Sequence, residues 1–201
     1  MAYGANLPVP AASRGERVKG AAVLMGSLLL LLWLLEAVDA ASGHALDTFG
    51  ITPREVGELR DIVPAAFVHF GFGHLMANSV PLLLLGFLAA VSGIRRFLAV
   101  VTVIILVSGA GVWLTAPGHS VTAGASGVVF GLFGYLLIRG FVDRRAGDVI
   151  VGLIVGAVYG SILWGVLPTT TGVSWQGHLF GLLAGVAAAF AFRRRRGAGG
   201  A

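Results

Sequence analysis

Six apolar runs restrict this chain to one class of fold. They cover about Ala21–Val38, Leu75–Ser92, Phe97–Thr115, Ala125–Ile138, Val149–Leu167 and Val173–Phe192. Each approaches the ~20 residues that cross roughly 30 Å of hydrocarbon. Lipid offers no partner to an open backbone N–H or C=O, so runs of this kind must be helices. The fourth run is short unless its helix begins near the Gly124 loop. With 57% hydrophobic and 11% charged residues, the composition excludes an ordinary soluble domain. The fold class is therefore an all-α polytopic membrane protein. A six-helix membrane domain over residues 21–192 lies between an N-terminal segment, 1–20, and a basic tail, 193–201.

The charges order the runs in the bilayer. With six spans, Arg14, Arg17, Lys19, Arg95, Arg96, Arg139, Arg144, Arg145 and Arg193–Arg196 fall on one side, twelve of the fourteen basic residues. Only Arg54 and Arg60 fall on the other. The positive-inside rule then makes both termini cytoplasmic and the cell membrane the location. The run Arg193–Arg196 reads as an anchor near anionic lipid headgroups, and the basic balance does not call for nucleic acid. The first run admits a second reading, a cleaved signal peptide ending at "VDA" before Ala41. The six-span charge count favours an uncleaved span. The long connection Asp39–Phe70 carries Pro53, Pro64 and an amphipathic "PREVGELRDIV" pattern, which predicts an ordered loop with interfacial helices.

Polar groups inside a bilayer are costly and mark function. Here they gather at the outer ends of three spans. The second begins "HFGFGHLMANS", with His69, His74 and Asn78; the fourth carries Ser126; the sixth begins "WQGHLFG", with His178. Ser126 stands thirteen residues before Arg139 and His178 fifteen before Arg193, or roughly 20 and 22 Å above the basic boundary. Asn78 stands seventeen residues before Arg95, roughly 25 Å up, and His74 shares its helix face one turn higher. Serine and histidine at one depth suit nucleophilic catalysis, because a hydroxyl needs an adjacent base. The oxyanion formed by attack on a carbonyl needs donors, for which Asn78, His74 and the Ser126 amide are candidates. No Asp or Glu falls in spans two to six as drawn, so the pattern is a Ser-His dyad without a third member. Gly124 and Gly127 flank the serine and permit close approach. Gly127, Gly131 and Gly134, and Gly177, Gly181 and Gly185, read as helix-packing faces. His44 and His119 read as loop residues outside the site.

These motifs resemble the signature of the rhomboid intramembrane serine proteases: "HFGFGHLMAN", "GASG" and "GHLFG", each opening a span, in that order. The resemblance covers Val68 to about Phe192, five of the six spans. It implies a six-helix rhomboid-like bundle around a water-filled cavity open to the outside. Ser126 would be the nucleophile, His178 the base, and His74 and Asn78 the lining of the oxyanion hole. His69 matches a further family histidine above the site, and Gly181 would let span six pack closely on span four. The substrates implied are transmembrane proteins, single-span above all, with small residues at the scissile bond; no cofactor or metal is implied, and the oligomeric state stays open. Phe130 stands where many members carry a tyrosine stacked on the histidine. "PREVGEL" stands in place of the family's Trp-Arg pair in the first loop. The rivals are an inactive relative that binds membrane proteins without cutting them and a His-lined transporter. The chain has no cysteine, no H-E-x-x-H, no pair of membrane aspartates, and no G-x-S-x-G elbow, since Val128 holds its last position.

Overall fold

The computed structural model describes residues 13–169 and 171–194. The tail beyond Arg194 lies outside the described residues, and so does most of the N-terminal segment. The first helix, α1, is Arg14–Ala41. It starts on a capping box: Ser13 Oγ accepts from the Glu16 amide at 3.2 Å, and Glu16 Oε2 accepts from the Ser13 amide at 2.7 Å. The others are α2 (Phe72–Ala90), α3 (Ile94–Thr115), α4 (Ser126–Asp143), α5 (Ala146–Tyr159) and α6 (Trp175–Ala191). All six apolar runs are thus helical. α5 continues as a 3-10 helix over Gly160–Val166, and the two together make a largely apolar segment of 21 residues. α6 has only 17 residues, about 25 Å of rise, and is the shortest of the six spans. Asp143 and Asp148 lie in α4 and α5, because these helices run past the apolar stretches into polar ends.

The connection between α1 and α2 is ordered as three short 3-10 helices, Ala45–Phe49, Val56–Ile62 and Pro64–Ala66. Its amphipathic stretch forms the second of these rather than an α-helix. An isolated antiparallel bridge ties the loop to the segment before α4. The Ile51 amide donates to the Thr122 carbonyl at 2.8 Å, and the Thr122 amide to Ile51 at 3.1 Å. Arg54 reaches the end of α3, its Nη1 donating to the Ala116 carbonyl at 2.8 Å.

α4 is the central helix. Leu132, Phe133, Tyr135 and Leu136 are almost fully buried. It packs against α2, α3, α5 and most extensively α6. In lipid, helix association depends on close packing rather than on the hydrophobic effect, and small residues permit it. A Cβ on Gly181 would run into the backbone oxygen of Gly127, and one on Gly185 into that of Gly131. The contacts advance together along both chains, so α4 and α6 run parallel, with Gly127 opposite Gly181. This register sets Ser126 within one turn of His178 along the paired helices. Arg96–Asp143 (2.6 Å) and Arg139–Asp148 (2.9 Å) clamp the far ends of α3, α4 and α5.

Candidate active site

Ser126 is the first residue of α4, half-buried, directly after a turn that Gly124 makes at φ +120°. That φ favours glycine, and a Cβ there would come within 2.7 Å of the His74 ring. The turn is held from below: the Gly124 amide donates to the Ala65 carbonyl at 2.7 Å, and the Ala125 amide to His69 Nε2 at 3.2 Å. The first amides of a helix have no partner within it, so those at the start of α4 remain available beside the hydroxyl. The helix dipole adds partial positive charge at the same place.

His178 enters from α6. Its Nδ1 and the Gly165 carbonyl, on the 3-10 helix after α5, are 2.8 Å apart. A carbonyl can only accept, so Nδ1 carries the proton and a neutral ring presents Nε2 as its basic nitrogen. One face of the ring lies on Phe130, with centroids 4.0 Å apart and planes 8° from parallel. Phe130 follows Ser126 by one turn of α4, so a single helix carries the hydroxyl and the platform for the imidazole.

A cavity of about 630 Å³ opens between α2, α4 and α6, lined by His74, Asn78, Pro81, Ser126, Phe130 and His178 among others. Pro81 cannot donate to the Ala77 carbonyl, which leaves that carbonyl without its helical bond in the same wall. Gly124, Gly127 and Ser126 also border a smaller void of about 40 Å³ behind the serine.

The sequence-derived residues therefore divide. Ser126, His178, His74, Asn78 and Phe130 share one cavity. Asn78 is already engaged, with Nδ2 donating to the His74 carbonyl at 3.2 Å. One of its two N–H bonds is thus spent on its own helix. His69 does not line the cavity. It is buried, packs edge-on against His74 with centroids 5.2 Å apart, and accepts from the Ala125 amide next to Ser126. Gly127 and Gly181 form the α4–α6 contact. Gly165 was invisible to sequence reasoning: its contribution is a backbone carbonyl in an apolar stretch, and only the fold brings it to His178.

Comparison with known proteins supplies the family. Residues 56–195 match the model of the Rhomboid domain, so the chain belongs to the rhomboid family and is a multi-pass integral membrane protein. An uncharacterized protein of Mycobacterium tuberculosis is 41% identical over 172 residues, covering 82% of this chain and 72% of the relative. A Bacillus subtilis protein that bears the name "Putative rhomboid protease YdcA" is 32% identical over 140 residues, 67% of each chain.

Proposed function

We propose that the protein is an intramembrane serine endopeptidase that cleaves other membrane proteins in or near their transmembrane helices. Ser126 Oγ attacks the scissile carbonyl, and His178 Nε2 takes its proton and passes it to the leaving amine. The oxyanion is received by the Ser126 amide, assisted by His74 and the free N–H of Asn78. The observation that carries this reading is the Nδ1–Gly165 contact. A backbone carbonyl fixes the tautomer and the orientation of the base, the work a carboxylate does in a triad. Phe130 holds the ring from its face. The substrate helix must unwind locally for its carbonyl to reach Ser126, which suits single-span substrates with small or helix-breaking residues near the cut. The twelve basic residues on one side support cytoplasmic termini and a cavity open to the outside.

A fluorophosphonate probe tests the mechanism on the detergent-purified protein. Ser126 is expected to be labelled, and Ser126→Ala and His178→Ala each to abolish labelling and cleavage of a model single-span substrate. The double variant should be no worse than either single one, since the pair acts as a unit. A Ser126→Ala protein that still cleaves would overturn the assignment, and a folded wild type that neither labels nor cleaves would favour an inactive binding protein.

A further inference from the structure

At the end of α1 nearest the first loop, three potential ligands converge away from the catalytic cavity. Asp39 lies in the last turn of α1, Asp47 in the 3-10 helix Ala45–Phe49, and His44 between them. One atom from each, His44 Nδ1 and a carboxylate oxygen from either aspartate, falls within 4.8 Å of the other two. His44 Nδ1 is 2.8 Å from Asp39 Oδ2 and 3.9 Å from Asp47 Oδ2. Ligand atoms arranged tetrahedrally at about 2.0–2.1 Å from an ion lie about 3.3 Å apart, so small side-chain shifts suffice to bind one.

The local structure is built to hold these atoms in place. Asp39 Oδ1 accepts from the Leu46 amide at 2.7 Å, and Oδ2 is paired with His44 Nδ1 at 2.8 Å. The supporting bond to a ligating carboxylate is a recurring feature of metal sites. The His44 amide donates to the Asp39 carbonyl at 2.9 Å while its backbone takes φ +66°, folding the ring back over the helix end. Asp39 is buried at 1% exposure, whereas the His44 side chain is 58% exposed and gives the cluster a path to solvent.

A second observation points to a cation. Glu36 precedes Asp39 by one turn on the same face of α1 and is only 2% exposed. Both of its carboxylate oxygens are buried without a hydrogen-bond partner, although the Gly71 backbone amide approaches, and so is Asp47 Oδ1. The charges that act on Glu36 are those of Asp39, Asp47 and His44. Two carboxylates thus meet one imidazole with a third, Glu36, one turn away on α1, and among the described residues no Lys or Arg forms an ion pair with any of the three. Buried carboxylates without a counter-charge are expensive, and coordination of a metal resolves that cost.

We infer that Asp39, His44 and Asp47 form a site for a divalent transition-metal ion, zinc in the first place, with Glu36 supplying charge behind it. An imidazole among carboxylates selects this class over calcium, which takes six to eight oxygens. Metal binding takes the lone pair of His44 Nδ1, so the proton leaves Nδ1 for solvent and the coordinated neutral ring carries its single proton on the exposed Nε2. The ion cross-links the end of α1 to the start of the first loop and takes no part in the cleavage reaction.

Equilibrium dialysis of the metal-stripped protein in detergent against Zn²⁺ tests the site, with Ca²⁺ in a parallel arm. One Zn²⁺ per chain is expected. His44→Ala and Asp47→Asn should each weaken binding by more than about tenfold, the lower bound for losing even a supporting partner. The histidines around the catalytic cavity are the competing zinc binders, so His74→Ala/His178→Ala protein should keep the same stoichiometry and affinity. No saturable Zn²⁺ binding, binding lost in that double variant but kept in His44→Ala, or Ca²⁺ bound tighter than Zn²⁺ would each overturn the inference.

Discussion

Phe130 and His178 lie face to face, 4.0 Å between centroids, one from α4 and one from α6. The stack couples the helix that carries Ser126 to the ring proposed as its base. Aromatic stacking contributes about 0.5–1.5 kcal/mol beyond buried area. Phe130→Leu keeps most of the apolar volume and removes the platform. The turnover number on a single-span substrate should fall roughly twofold to tenfold, with the melting temperature changed little. An unchanged turnover would show that the Gly165 carbonyl alone orients the imidazole.

Asn78 separates two roles. Its bond to the His74 carbonyl stays within α2 and contributes little to joining helices. Removing an oxyanion donor costs about 2.7–4 kcal/mol where that donor is fully used. The Ser126 amide and His74 share the task, so Asn78→Ala should lower turnover by about a hundredfold or less, with little change in the Michaelis constant. A defect accounted for entirely by lost folded protein would assign Asn78 to structure alone.

The α4–α6 contact predicts a stability effect. A methyl group on Gly181 meets a backbone oxygen of Gly127, which cannot swing aside as a side chain can. Overpacking of this kind costs about 1–3 kcal/mol. Gly181→Ala should lower the melting temperature in detergent and depress activity with it. Gly26→Ala, on α1 with open space around it, is the control and should be neutral or slightly stabilising. Equal melting curves for Gly181→Ala and wild type would rule out the close approach.

His69 predicts a pH dependence of stability. Burial, with His74 beside it, pushes its imidazole down to about 4 from 6.5. It stays neutral in the fold and can accept from the Ala125 amide. An unfolded chain takes up the proton first as pH falls, so this contribution is complete above pH 6.5 and is lost progressively down to about 4. His69→Gln retains an acceptor and removes the titration. Its melting temperature should fall less than that of wild type over this interval, as scanning calorimetry in detergent would record. Parallel curves would exclude His69 as a source of the acid sensitivity.

Orientation is tested with single cysteines in this cysteine-free chain. Thr48, on the exposed first loop, and Ala146, exposed at the start of α5, lie at opposite ends of the bundle. A membrane-impermeant maleimide added to intact cells should label Thr48→Cys and not Ala146→Cys. The reverse pattern would invert the topology.

The sequence by itself determined the six helices, since a chain this apolar can only satisfy its backbone within each run. It also marked the polar residues of the site, because a bilayer leaves so few places for a serine, a histidine or an amide. The paired glycines were legible as a packing face, and their register carries Ser126 to the level of His178. Where the apolar runs stop and the helices continue, as at Asp143 and Asp148, composition misplaced the ends. What holds His178 was decided only by the tertiary structure. Its partner is the Gly165 carbonyl, and every residue in a sequence has a carbonyl; only the turn of α5 into a 3-10 helix aims this one at the ring. The same holds at the end of α1, where His44 read as an idle loop residue. A left-handed backbone at His44 folds it onto Asp39 and Asp47, and that juxtaposition exists only once the loop is folded.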